Sequence, residues 1–115
     1  MYIIPPTYRY EPEHNIAAHA DDESSMKSNS PIFSFSWGGP RRFVVKPIVK
    51  GRRAAKSALS ADLLIRDGDL LVMGGTLQQT HKHEVPSWRK TKDRFVPKRR
   101  INWTVRSFQE QHLLK

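Results

Sequence analysis

A chain of 115 residues has room for one small domain with a single core, because a domain of this size buries a smaller share of its surface than a large one. Its 37% hydrophobic and 27% charged residues, with three Trp and five Phe, exclude a disordered polymer. The lack of cysteine excludes disulfides, zinc-thiolate sites and a cysteine nucleophile, so any metal must be held by His, Asp or Glu.

In chain order, helical periodicity is nearly absent and short β-rich runs recur between turn signals. Strands are expected near 6–10, 15–19, 31–37, 41–47, 62–66, 69–74, 80–86 and 100–107. The polar, serine-rich stretch 22–30 reads as a connection. Gly38-Gly39-Pro40 and Asp67-Gly68 are tight-turn sequences expected to close two hairpins. Residues 50–60 are basic, with alanines suited to a helical turn; 87–98 is a charged loop, and 109–115 could end the chain as a short helix. Eight short antiparallel strands and no room for helical crossovers predict an all-β jelly roll, as one domain over residues 1–115. Gly68 to Gly75 reads as a turn feeding a buried apolar strand, a structural role.

The net charge of +9 is enough to attract polyanions such as DNA or RNA. Arg41, Arg42, Lys46, Lys50, Arg52, Arg53 and Lys56 form one basic cluster and residues 89–106 a second, whereas Glu11, Glu13, Asp21, Asp22 and Glu23 crowd the first quarter of the chain. Such a balance suits an acidic cation site framed by basic surfaces. No apolar run reaches the roughly 18 residues of a membrane span, and the N-terminus lacks the marks of a signal peptide. A soluble, intracellular protein with no membrane partner is expected.

The chemistry begins at His19-Ala20-Asp21, at the end of an expected strand. Residues two apart on a strand share a face, so the imidazole and the carboxylate converge. A second histidine from a distant strand would complete two histidines and one carboxylate, the set that binds one face of Fe(II) and leaves positions open. His83 is the candidate and His81, two residues away on the same face, its rival. On the last expected strand Arg100, Asn102, Thr104 and Arg106 alternate with Ile101, Trp103 and Val105. The first set faces a site and the second packs on a core. An arginine is the best-shaped partner for a carboxylate, because its planar fork reaches both oxygens.

Taken together, Tyr10, His-Ala-Asp-Asp-Glu at 19–23, Ser-Phe-Ser-Trp-Gly-Gly-Pro-Arg-Arg-Phe at 34–43, Gly-Asp-Leu-Leu-Val-Met-Gly-Gly at 68–75, His-Glu-Val-Pro at 83–86 and Arg-Ile-Asn-Trp-Thr-Val-Arg at 100–106 resemble the AlkB family of Fe(II)/2-oxoglutarate dioxygenases. The resemblance covers nearly the whole chain in the family's order. It implies a double-stranded β-helix, the jelly-roll variant, with Fe(II), 2-oxoglutarate and O2 as its chemistry. It also implies iron ligands His19, Asp21 and His83, the last because the family's ligand precedes the Val-Pro. Cosubstrate contacts from Tyr10, Arg100, Asn102 and Arg106 follow in the same way, with Asp22 and Glu23 near the substrate.

The activity so implied is oxidative demethylation of alkylated DNA or RNA bases, releasing formaldehyde, succinate and CO2. Trp37, Trp88 and Phe95 are possible base-stacking groups, although Trp37 is the better fit for the core. The family's usual N-terminal lid region is missing before Tyr10, and Tyr8 stands where many relatives have asparagine. A lid supplied by another segment or a partner is therefore expected. The alternatives are a truncated or non-catalytic jelly roll that binds nucleic acid, and a dioxygenase acting on protein.

Overall fold

The computed structural model describes residues 2–3, 8–11, 14–48, 59–87 and 98–109. The strands are β1 (Tyr2–Ile3), β2 (Tyr8–Tyr10), β3 (Ile16–His19), β4 (Ile32–Gly38), β5 (Arg41–Pro47), β6 (Ala61–Ile65), β7 (Leu70–Met73), β8 (His81–Val85) and β9 (Arg100–Ser107), with one helical turn, α1 (Leu77–Thr80), between β7 and β8. They form two antiparallel sheets. One runs β1-β9-β4-β7, with β2 also pairing β9, and the other runs β3-β8-β5-β6. This is the expected all-β, jelly-roll-type sandwich.

The two glycine-containing turns reverse the chain, but neither closes a hairpin. β4 lies in the first sheet and β5 in the second, and β6 and β7 are likewise divided. Each turn is a corner between the sheets. The Gly38-Gly39 corner is forced on glycine by crowding. Gly38 has φ +93, and a Cβ there would lie 2.3 Å from the Arg99 carbonyl oxygen; one on Gly39 would lie 2.4 Å from that of Lys98. The Asp67-Gly68 corner folds along the end of β4, where the Gly68 N–H donates to the Ser36 carbonyl (2.8 Å) and the Ser36 N–H to that of Asp69 (3.0 Å).

The interior between the sheets is divided. At one end Ile32, Phe43, Val45, Ile65, Met73 and Val85 form the apolar core, with Ile16, Met26 and Leu71 packed against it. At the other, Ser34, Ser36, Arg100, Asn102, Thr104 and His83 are buried. At this polar end strand alternation sends the large apolar groups of β4 and β9 outward. Ile101, Trp103 and Trp37, expected in a core, are instead 43%, 40% and 42% exposed. Leu70 and Val72 are exposed beside them, so β7 is apolar on both faces but buried on one. The outward rings organise among themselves, Phe35 stacking on Trp37 at 6.1 Å and Trp37 meeting Trp103 edge-on at 5.9 Å.

The first basic cluster also differs from its reading as surface charge. Arg41 is buried; it donates to the carbonyls of Glu11, His14 and Pro86, stapling the approach to β3 onto the end of β8. Arg42 pairs with Asp62 across β5 and β6, and Lys46 with Glu84 across β5 and β8 at 3.3 Å. The expectations that fall on residues 12–13, 49–58, 88–97 and 110–115, including Glu13, Lys50, Trp88 and Phe95, lie outside the described residues.

Replacing Ile32 by alanine, at the centre of the core, is expected to lower unfolding stability by about 2–5 kcal/mol. Ile101→Thr on the outward face should cost less than about 1 kcal/mol. Urea unfolding of the two variants measures the contrast, and equal losses would contradict the division of faces.

Candidate metal centre

His19 reaches the interior through an irregularity in β3. Ile16 stands opposite Val85, but His19 stands opposite His83, so the register shifts by one residue between them. In an unbroken ladder Ala18 would face His83 and His19 would turn to the other side. The β-bulge re-aims the imidazole inward, as bulges beside functional sites do. The His19 and His83 ring centroids lie 4.3 Å apart.

Asp21 follows β3 outside any strand and closes the group. Its Oδ1 is 3.8 Å from His19 Nε2 and its Oδ2 is 3.6 Å from His83 Nε2. The potential ligand atoms of the three residues lie within 4.8 Å of one another, the one such cluster among the described residues. The rival His81 points elsewhere: its ring nitrogens meet Thr80 Oγ1 at 2.7 Å and the Leu59 carbonyl at 2.8 Å.

His19 Nδ1 lies 2.8 Å from the Ala17 carbonyl, and a carbonyl only accepts, so Nδ1 donates there and Nε2 is the nitrogen turned toward Asp21. His83 is buried, with Phe43 stacked on its ring at 5.3 Å. Burial, and after it the neighbouring His19, push its pKa down to about 4 against the opposing pull of Asp21. The imidazole is therefore neutral near pH 7.

Arg106 Nη2 donates to Asp21 Oδ1 at 3.3 Å, while Asp21 Oδ2 and Arg106 Nε are buried without a hydrogen-bond partner among the described residues. The backbone N–H of Asp21 donates to Gln78 Oε1 at 2.9 Å.

The cluster opens into a cavity of about 390 Å³ whose wall includes Ser34, Phe43, Arg100, Asn102, Thr104 and Arg106. That volume lies within the usual range for small-ligand sites. Asn102 Oδ1 accepts from Ser34 Oγ (2.9 Å), Ser36 Oγ (3.2 Å) and Arg100 Nη2 (3.2 Å), and its Nδ2 donates to Thr104 Oγ1 (2.8 Å). Arg100 Nη2 also donates to Ser36 Oγ at 2.6 Å. Arg100 is thus fixed by a buried network in which Ser34 and Ser36 went unrecognised from sequence; their alternation with Phe33, Phe35 and Trp37 was the available signal. The backbone of Tyr10 lies opposite Arg100. Asp22 and Glu23 are not in this cavity. They are exposed and line a second one, of about 250 Å³, which shares Asp21 with the first.

Residues 7–106 match the family model described as the 2OG-Fe(II) oxygenase superfamily. The chain belongs to this superfamily. Membership implies Fe(II), 2-oxoglutarate and O2, and the structure fits the metal on its own terms. Two imidazole nitrogens and a carboxylate converge, one buried carboxylate oxygen accepts no hydrogen bond among the described residues, and the donor set is the one that suits non-haem Fe(II). The chain is also 35% identical over 79 residues to an RNA replication protein of Grapevine virus A (isolate Is 151); the match takes in 69% of this chain and 4% of the relative. No helix among the described residues is long and apolar enough to cross a membrane.

A lowered histidine pKa fixes the sign of one pH effect. His83 stays neutral in the folded, metal-free chain down to about pH 4, whereas the unfolded chain takes up the proton near 6.5. Stability is therefore lost as pH falls from about 6.5 towards 4. Urea unfolding in chelator at pH 7 and pH 5 should show a loss that is smaller in His83→Gln; an undiminished loss would assign it to other groups.

Proposed function

We propose that this chain is an AlkB-type demethylase domain that removes N-linked methyl groups from alkylated nucleic-acid bases, with RNA as the first substrate to test. The observation that carries this reading is the arrangement of one cavity. His19, Asp21 and His83 meet at its edge, and the alternating Arg100, Asn102, Thr104 and Arg106 of β9 form its wall. His-x-Asp, Gly-Asp-Leu-Leu-x-Met and Arg-x-Asn-x-Thr-x-Arg occur in the family's order. The printed name of the viral relative, an RNA replication protein, favours RNA, and the net charge of +9 favours a polyanion.

In this reading His19, Asp21 and His83 hold Fe(II). When bound, iron and 2-oxoglutarate supply, with O2, the oxidising power to hydroxylate a methyl C–H bond. The hydroxymethyl group on nitrogen then breaks its C–N bond, the nitrogen recovers a proton, and the balance is one methylated base, one 2-oxoglutarate and one O2 to one free base, formaldehyde, succinate and CO2.

The chain's own residues act by placement. Arg100, held by Ser36 and Asn102, presents a preorganised cation to the distal carboxylate of 2-oxoglutarate. Arg106 orients Asp21 through Oδ1, and its buried Nε, without a hydrogen-bond partner among the described residues, is a donor that a cosubstrate carboxylate would satisfy. Tyr10, beside Arg100 in register, joins the same end. Asp22 and Glu23, across Asp21 from the cavity, are the substrate-side acids.

A second reading, oxidation of a protein substrate, has one observation in its favour. Arg41, Arg42 and Lys46 of the first basic cluster are engaged within the fold and add little to a phosphate-binding surface.

The test is turnover of the purified chain with Fe(II), 2-oxoglutarate and ascorbate on RNA and DNA oligonucleotides carrying 1-methyladenine or 3-methylcytosine. Formaldehyde and succinate are expected in equal amounts, absent in His83→Ala. Arg100→Met should raise the half-saturating 2-oxoglutarate concentration about tenfold or more, the loss of a charge-assisted pair. Turnover on methylated peptides alone would favour the second reading, and a folded, iron-holding chain without turnover would leave a binding module.

A further inference from the structure

We propose that Gln78 is the positioning residue for Asp21, the side chain that holds the carboxylate-bearing segment in place for metal. The proposal rests on the reading of His19, Asp21 and His83 as a metal site. Asp21 lies beyond the end of β3, where no strand ladder supplies a partner for its N–H. That N–H donates to Gln78 Oε1 at 2.9 Å, across 57 positions of sequence. Gln78 belongs to α1, which runs directly into β8 and His83, so one short connection controls two of the three converging residues.

The amide of Gln78 is itself oriented. Its Nε2 donates to Met73 Sδ at 3.6 Å, a contact with the buried core that leaves Oε1 facing Asp21. Its neighbour Gln79 reaches the far end of the same segment, donating to Ser28 Oγ at 3.3 Å and Asn29 Oδ1 at 3.0 Å. Asn29 has the left-handed backbone, φ 57. Two successive glutamines thus clasp the segment from Asp21 to Asn29, and of the two Gln78 bonds the Asp21 backbone.

Arg106 fixes only the carboxylate, through Oδ1. With Gln78 gone, the Asp21 side chain keeps that partner while its backbone is released. Ordering it then falls to the metal, and affinity drops. Partners of this kind, one bond beyond a ligand, typically control metal affinity by about 10–100-fold.

The experiment titrates Mn(II), a redox-stable probe for Fe(II), into the full chain and its variants by calorimetry, beside their metal-free thermal unfolding. Gln78→Met keeps the side chain's length and removes the acceptor oxygen; Gln78→Glu restores the acceptor; Gln79→Ala loosens the far end alone. The expected result is Mn(II) binding about tenfold weaker in Gln78→Met, recovered to within about threefold in Gln78→Glu and within about twofold of the unaltered chain in Gln79→Ala.

Asp21 amide hydrogen exchange in the metal-free chain is a second readout, expected to quicken in Gln78→Met and recover in Gln78→Glu. Unchanged Mn(II) affinity in Gln78→Met, a fall in Gln79→Ala as large, or no recovery in Gln78→Glu overturns the positioning role while leaving the metal site intact. If the unaltered chain takes up no Mn(II), the metal reading falls and this role with it, a result distinguishable from the others because no variant then matters.

Discussion

Because successive side chains on a strand point to opposite faces, β9 cannot turn Arg100, Asn102 and Thr104 toward the gap between the sheets without sending Ile101 and Trp103 outward. The same holds for β4, where Ser34 and Ser36 face in and Phe35 and Trp37 face out. The two strands are neighbours, with Ser36 opposite Asn102 and Ser34 opposite Thr104, so their inward polar groups meet and satisfy one another. From that follow the fixed guanidinium of Arg100, the polar wall of the cavity and the aromatic outer face of the first sheet. A buried polar row is tolerable only when its members are paired, and here the direct opposition of serines to Asn102 and Thr104 supplies the pairing.

The facing sheet answers with a different device. β3 enters in phase for Ile16 to pack on the core, and in that phase His19 would point away. The one-residue shift between Ile16 and His19 reverses the phase within four residues, so a single short strand serves the apolar end with its first residue and the candidate metal centre with its last. The sheet supplies His83 and the shifted strand supplies His19. Asp21 arrives from the connection, where Arg106 of the opposite sheet holds its carboxylate. The three residues therefore converge only when both sheets are packed, which makes the centre a product of tertiary structure.

What was legible from the sequence was local periodicity and motif; what was hidden was pairing. The strand at 100–107 and the division of its faces were readable because alternation of Arg, Asn, Thr and Arg with Ile, Trp and Val is a one-strand signal. That the apolar set faces outward was not, since alternation tells two faces apart without saying which one is covered. Gly38-Gly39 and Asp67-Gly68 announced sharp reversals, but a reversal within a sheet and a corner between sheets use the same residues. The Arg41 count towards basic charge was likewise local. Its role as a staple depends on carbonyls of Glu11, His14 and Pro86 that only the fold assembles. His81 and His83 share a strand face, and what separates them is that His81 has found the Leu59 carbonyl. Gln78 carried no motif at all, since α1 is a single turn too short for a periodic signal.

A small domain that gives half its interior to polar groups has a correspondingly modest apolar core, and its binding site then carries weight in the stability of the whole. A buried acceptor without a hydrogen bond, as Asp21 Oδ2 is among the described residues, costs about 1–3 kcal/mol, and a cation that binds there removes the cost. Any ligand that binds only the folded chain adds stability by mass action, about 2.7 kcal/mol at a hundred times its dissociation constant. Both effects act on the same few residues, His19, Asp21, His83 and Arg106, among which the Arg106–Asp21 pair joins one sheet to the connection that leaves the other. Occupation of the centre and cohesion of the sandwich are therefore linked quantities. A change that weakens one, whether in the β3 bulge, the Arg106 pair or the connection that bears Asp21, must weaken the other.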